Sequence, residues 1–340
     1  MTLSKSDARQ NQPRVSVLVA CYNQARYVAE CLESVRSQTY PNVELITIDD
    51  CSRDESASVI RGWLAANYPA ATFVMHERNQ GVCKTFNDAL HRSSGKYVSL
   101  LAADDVFLPD KLERQVEILE NSPADIGVVY SDSWQMDAEG MQLPEKFIAT
   151  HRDFERMPEG KIFSTLLGGN FIPAPTTLIR RECFEKVGSF DEELIYEDFD
   201  MWLRIARHYQ FAFSPHVSAR YRVVPESVTR AMLRQSDAGW KSEFKIYEKW
   251  IRSRDLTANE LRVAKSRLAS IVFHMYAAGC AGRSRYLRSA LRHNPCKYTL
   301  AMWLCATGRV PFRYFERLVP KRAALHGRPE SDWSSSVALR

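Results

Sequence analysis

Two adjacent carboxylates, Asp104 and Asp105, end the apolar run Ser99-Leu100-Leu101-Ala102-Ala103, and Pro109 follows shortly after them. The run has the length and composition of a buried strand, and Pro109 opens a helical pattern, so the acids stand at the carboxyl end of a strand. Open α/β sheets bind their ligands at that end. Neighbouring carboxylates repel unless a cation or hydrogen-bond donors compensate them. All-oxygen ligation suits Mg²⁺ or Mn²⁺, ions that keep phosphate oxygens and water among their ligands. The other reading makes Asp104 a helix cap and leaves Asp105 solvated, and the pair alone does not choose between them.

Two further acids have comparable positions. Asp50 follows the strand pattern Val43–Asp49, where a carboxylate reaches a ribose hydroxyl or a base edge. Its alternative is to cap the next helix, although Ser52 or Asp54 can serve there, and the ligand role is favoured. Glu197 and Asp198 precede a helix whose Phe199, Trp202, Leu203 and Ala206 share a face. Helix N-termini attract negative charge, so capping alone accounts for Glu197.

Positioning these acids requires a regular frame. Val15–Cys21 reads as a buried strand, and Tyr22-Asn23-Gln24 as the turn after it. Val28, Cys31, Leu32 and Val35 mark one helical face. Strands at Val43–Asp49 and Thr72–Met75 follow, with helices carrying Ile60, Trp63 and Leu64, then Phe86, Ala89 and Leu90, before the strand that ends at Asp104. This alternation predicts an α/β fold with a mostly parallel central sheet flanked by helices. The first glycine is Gly62, which excludes a dinucleotide fingerprint or a P-loop from the first turn.

Beyond Asp105, a helix through Leu112, Val116 and Leu119 precedes a strand expected over 126–134. Residues 137–160 read as a loop or hairpin excursion. A strand is expected within 171–181, entered through Pro173 and Pro175. Helical patterns then occupy 240–252, 258–279 and 282–292. The expected organisation is a polar segment 1–13, a catalytic domain 14–235 with halves 14–110 and 111–235, and a helical, basic extension 236–340.

The chain has 340 residues, ample for a sizeable core, and its 45% hydrophobic and 26% charged composition is that of a globular protein. Its net charge of +5 is unevenly placed. From Ala281 onward there are 12 Lys and Arg against 3 Asp and Glu, a local +9, leaving 34 against 38, or −4, for the rest. Eight cysteines without a CxxC pair read as reduced thiols, and the polar start has no signal-peptide core, so a cytoplasmic protein is expected. The segment 298–306 with Trp303, followed by Phe312 among arginines, suits either a helix on the cytoplasmic face of an anionic membrane or a hairpin that completes its own domain.

The ordered series Val15 to Asn23, Leu32 to Leu45, Ile48-Asp49-Asp50-Cys51-Ser52-Arg53-Asp54, Asn79-Gln80-Gly81-Val82, Ser94-Gly95-Lys96 and Ala103-Asp104-Asp105 resembles the opening of family-2 glycosyltransferases with the GT-A fold. Glu197-Asp198 before an aromatic helix extends the resemblance to about residue 230. The resemblance implies that Ala20, Tyr22 and Asn23 line the base pocket, that Asp50 holds the uracil or ribose side of a nucleotide sugar, and that Asp104 faces the ribose or metal. It implies Asp105 as ligand to Mn²⁺ or Mg²⁺ and Asp198 as general base in an inverting transfer to a saccharide or lipid-linked acceptor, with UDP the favoured nucleotide. The sequence departs from the family pattern twice. Ala102 stands where many relatives have a further acid, and Phe86-Asn87 replaces an Arg-Asn pair, leaving Lys84 as candidate for the missing positive charge or as an exposed helix residue.

Two rival classes remain in view. An inactive glycosyltransferase-like binding protein would tolerate loss of its acids, yet Asp50, Asp104, Asp105 and Asp198 are all present. A nucleotidyltransferase on a similar sheet would usually carry a glycine-rich loop near the first strand. Nucleic-acid binding rests on the basic tail alone, whose aromatics look helical and partly buried, and is not expected.

Overall fold

The computed structural model describes residues 12–224, 237–311 and 314–315. Strands β1 (Val15–Cys21), β2 (Val43–Asp49), β3 (Thr72–Met75) and β4 (Tyr97–Ala102) alternate with helices α1 (Val28–Arg36), α2 (Ser56–Asn67) and α3 (Val82–Arg92). β1 lies between β2 and β4, and β3 lies outside β2, all parallel. Both faces of β1 are covered, which is why Val15, Val17, Leu18 and Val19 run apolar without alternation and are fully buried. α1 turns Val28, Cys31, Leu32 and Val35 into the same core.

The chain continues through β5 (Val106–Phe107), α4 (Lys111–Glu120), β6 (Ile126–Tyr130), β7 (Ser133–Met136), β8 (Gln142–Lys146), α5 (Phe147–His151) and α6 (Phe163–Leu167). After a 3₁₀ turn at Ala174–Thr176 come β9 (Leu178–Arg180), α7 (Arg181–Val187), α8 (Asp198–Ala206), β10 (Gln210–Phe213) and β11 (Ala219–Arg222). The main sheet has the order β10-β6-β9-β4-β1-β2-β3, with β9 antiparallel to both neighbours. A second sheet has the order β5-β11-β7-β8.

Two expected strands differ from those observed. The run 126–134 divides into β6 and β7, which belong to different sheets, because the chain leaves the main sheet at Ser131 and Asp132. The run 171–181 keeps only β9 as a strand, since Pro173 precedes the 3₁₀ turn, Pro175 lies within it, and neither supplies an amide to a ladder. The excursion 137–160 contains a hairpin partner, β8, paired antiparallel to β7.

Contacts divide the described residues into two compact units, one within Met1–Leu166 and Asn170–Val224, the other within Leu167–Gly169 and Pro225–Arg340. In the second unit α9 (Asp237–Ser253), α10 (Ala258–Ala277), α11 (Arg283–His293) and α12 (Lys297–Thr307) follow one another. A capping box fixes the start of α10: the Thr257 hydroxyl accepts from the Glu260 amide, and the Glu260 carboxylate accepts from the Thr257 amide. Ala264, Leu268, Ile271, Val272 and Met275 form its buried face. Among the described residues no helix is long and apolar enough to cross a membrane.

Candidate active site

Strand register brings the sequence-predicted acids to one edge. Ala20 in β1 lies level with Ile48 in β2 and Ala102 in β4, so the residues after all three strands leave the sheet together. The amide of Asp50 donates to the Cys21 carbonyl at 2.8 Å, and that of Ala103 to the Ala20 carbonyl at 3.0 Å, which extends the register one step past the strands. Ala20 is partly buried at this rim and Tyr22 is 41% exposed. Asn23 adopts a left-handed φ of 55°, a conformation asparagine tolerates. Its side-chain oxygen accepts from the Arg53 amide at 2.8 Å, tying the first turn to the second.

Asp50 is buried and does not cap α2. Its Oδ1 accepts from the Gln80 amide at 2.8 Å, its Oδ2 from the Gly81 amide at 2.8 Å, and His76 Nδ1 lies 2.7 Å from Oδ1. A carboxylate has about four acceptor sites, so this set leaves Oδ2 capacity for one more donor. Gly81 has a φ of 87°, which explains a glycine at the entry to α3. Lys84 pairs with Asp88 at 2.6 Å, and Asp88 in turn faces His76 Nε2 at 3.1 Å.

Asp104 and Asp105 sit in the turn between β4 and β5. Asp105 is buried, and its Oδ1 accepts from the backbone amide of Arg222 at 2.8 Å. Asp104 is partly buried and is reached by Gln24 Nε2 at 3.4 Å. Neither carboxylate caps the following helix, whose N-cap is Asp110. Loss of water raises both acids, Asp105 furthest, because the charges of Asp104 and Glu197 add to its burial. That pattern marks a place where negative charge is gathered without sufficient compensation.

Glu197 and Asp198 open α8. Glu197 is the N-cap residue but makes no side-chain capping bond, so the capping role read from the sequence does not hold. Burial and the neighbouring Asp198 push its carboxyl up to about 8. Burial likewise lifts Asp198 to about 6, opposed by hydrogen bonds from the Phe199 amide at 2.6 Å and Asn170 Nδ2 at 2.7 Å. These two bonds fix the carboxylate in orientation.

Sequence reasoning missed the residue that braces the Asp104-Asp105 turn. Arg222, at the end of β11, is 2% exposed. Its Nε donates to the Asp104 carbonyl at 2.9 Å, Nη2 to Glu30 at 2.6 Å and Nη1 to the Asp137 carbonyl at 3.2 Å, while the guanidinium lies 4.5 Å from the Tyr27 ring centre. His76 and Asn170 were also missed. His76 carried a signal, a titratable group directly after a strand at the ligand edge; Arg222 and Asn170 carried none.

Among the described residues no group of three or more His, Cys, Asp or Glu is arranged to hold a metal ion. The donor set is two adjacent carboxylates in need of positive charge. Such a set fits a hard divalent ion that brings phosphate and water as its other ligands, and does not fit zinc.

Residues 16–188 match the Glycosyl transferase family 2. The putative teichuronic acid biosynthesis glycosyltransferase TuaG of Bacillus subtilis is 30% identical over 233 residues, 67% of this chain and 86% of that protein. Among solved structures, S. aureus TarS 1-349 in complex with UDP-GlcNAc aligns with a TM-score of 0.57 at 19% identity, covering 91% of this chain and 82% of the other. This chain spans 50% of a longer TarS structure. The mannosyltransferase PcManGT of Pyrobaculum calidifontis, in complex with GDP-Man and Mn²⁺, aligns with a TM-score of 0.55 at 19% identity, covering 91% and 85%. These structural likenesses establish the GT-A fold, and with the family match over residues 16–188, a stretch that includes Asp50, Asp104 and Asp105, the chain belongs to glycosyl transferase family 2.

Proposed function

We propose that the enzyme transfers a sugar, with inversion, from a nucleotide-diphosphate donor to a hydroxyl of a cell-surface polysaccharide or glycoconjugate precursor. The observation that carries this reading is the pair of adjacent carboxylates after β4, with Asp105 held by the Arg222 amide, together with Asp198 fixed in orientation by Asn170 and the Phe199 amide. The pair suits a leaving diphosphate and Asp198 an incoming hydroxyl.

Ala20, Tyr22, Asn23 and Asp50 form the nucleotide side, with the remaining lone pair of Asp50 available to a base or ribose donor. UDP is the favoured nucleotide, supported by the UDP-GlcNAc named for TarS, while the GDP-Man of PcManGT keeps a second base in play. Asp105, helped by Asp104, would hold Mn²⁺ or Mg²⁺, which supplies electrostatic stabilisation of the departing diphosphate. Lys84, shared with Asp88, is the candidate for further positive charge near the phosphates.

Asp198 takes the acceptor proton as the hydroxyl oxygen forms its bond to the anomeric carbon and the bond to the diphosphate breaks. Asn170 and the Phe199 amide hold Asp198 in the required orientation. Its partial desolvation strengthens it as a base above an ordinary aspartate. The name of TuaG supports an anionic polysaccharide as the product class.

A donor panel tests this reading directly. Purified protein with Mn²⁺ is given UDP-, GDP- and dTDP-sugars, and nucleotide release is measured with and without chelator. Release from one nucleotide class, abolished by chelation, is expected. Equal release from all, or none, overturns the donor assignment.

A further inference from the structure

The α11–α12 hairpin has an outward face unlike that of an ordinary surface helix pair. On α12, Thr299, Met302 and Ala306 are buried, which turns Leu300 and Leu304 outward at 44% and 54% exposure. On α11, Arg285, Arg288 and Arg292 lie at i, i+3 and i+7, and all three are exposed. The two faces adjoin, because the guanidinium of Arg288 lies 5.8 Å from the ring centre of Trp303. Residues 281–311 contain six basic side chains, Arg283, Arg285, Arg288, Arg292, Lys297 and Arg309, and no acid. The acid that reaches α11 from α9 is Glu248, which is already paired with Arg252 at 3.0 Å.

We propose that this face seats on an anionic lipid bilayer, with Leu300 and Leu304 entering the headgroup boundary and the arginines of α11 meeting lipid phosphates. Charge complementarity selects an anionic partner, and the two leucines select lipid over nucleic acid, which offers aliphatic side chains no apolar surface. The helix lengths allow attachment to the surface and not passage through it. Trp303, expected from the sequence to mark the interface, instead has its indole Nε1 buried without a hydrogen-bond partner, so the apolar contact falls to the leucines. Phe312, the other aromatic expected there, lies outside the described residues.

Vesicle sedimentation tests the proposal with the full chain. Binding to vesicles containing phosphatidylglycerol, weakened by salt, is expected, with little binding to phosphatidylcholine alone. Leu300→Ser with Leu304→Ser is expected to weaken partitioning about tenfold, and Arg285→Glu with Arg288→Glu and Arg292→Glu on the order of 100-fold. Nucleotide release from a soluble donor and the melting temperature serve as fold controls, and both are expected to stay near wild type. No binding to anionic vesicles overturns the proposal. So does binding indifferent to the serine pair, nucleic-acid binding of equal strength, or a dimer at low concentration that the serine pair abolishes.

Discussion

His76 Nδ1 lies 2.7 Å from Oδ1 of Asp50 while its Nε2 lies 3.1 Å from Asp88, so one imidazole joins the acid after β2 to the helix α3 that follows the next turn. Asp50 is therefore oriented in advance for the donor role proposed for it. His76→Phe keeps the ring volume and removes both bonds. Hydrogen bonds to charged groups contribute about 1.5–3 kcal/mol, so donor KM should rise about 10- to 100-fold while kcat changes much less. A variant with unchanged KM would detach His76 from the donor site.

Arg222 should matter for cation affinity even though it is no ligand. Its guanidinium holds the Asp104 carbonyl, Glu30 and the β7–β8 hairpin, and its amide holds Asp105. Arg222→Met keeps the backbone bond and loses the rest, with an expected stability loss of about 2–4 kcal/mol. Titration of Mn²⁺ by isothermal calorimetry in the presence of nucleotide should show at least about tenfold weaker binding in the folded fraction.

Asp105→Asn separates the metal role from packing. In the folded, metal-free protein ionising Asp105 is unfavourable, whereas the unfolded carboxylate ionises above pH of about 4. Wild type therefore loses stability relative to the variant as pH rises from that value toward neutrality. With chelator at pH 7 the variant should melt about 2–4 °C higher, corresponding to ~1 kcal/mol. Added Mn²⁺ with nucleotide should raise the wild-type melting temperature and leave the variant unmoved. Lower stability of the apo variant at pH 7 would refute the charge argument.

Asp198→Asn should leave donor affinity intact and reduce transfer by about 10²- to 10⁴-fold. A base must be ionised to act, and Asp198 is lifted to about 6, so transfer should climb as pH rises through that value. The acidic limb would then lie about two pH units above that of an ordinary aspartate. Glu197→Gln removes a carboxyl that burial holds protonated to about 8, and it should leave this limb in place. An acidic limb near pH 4 would argue against Asp198 as the base.

The first half of the sheet was legible because its signals are local. A buried parallel strand needs an unbroken apolar run, and β2 and β3 have the boundaries read from the sequence. The sheet-edge positions of Asp50, Asp104 and Asp105 were legible because these acids follow such runs, whereas Asp198 was picked out by the aromatic helix after it. Arg222 was not, since Asp105 lies 117 positions away and Glu30 lies 192 away, and nothing near Arg222 distinguishes it from a surface arginine. Lys111 was hidden for the same reason. It sits in a helical pattern with polar neighbours, yet its Nζ is buried against Ser99, Gln115 and the Thr177 carbonyl. The split of 126–134 did carry a signal, since Ser131-Asp132-Ser133 interrupts the apolar run 126–130 at the place where the chain changes sheet.

The antiparallel strand β9 joins β4 to β6 across the middle of the main sheet. During synthesis the ribosome delivers β4 and β6 long before Leu178–Arg180, so the nascent chain carries an unpaired edge of β4 and a β6 with neither neighbour. Those edges can meet foreign strands until the closing piece arrives. β9 thus closes the gap inside the sheet before β10 is added outside β6, and chains stalled before β9 should be the species that chaperones hold.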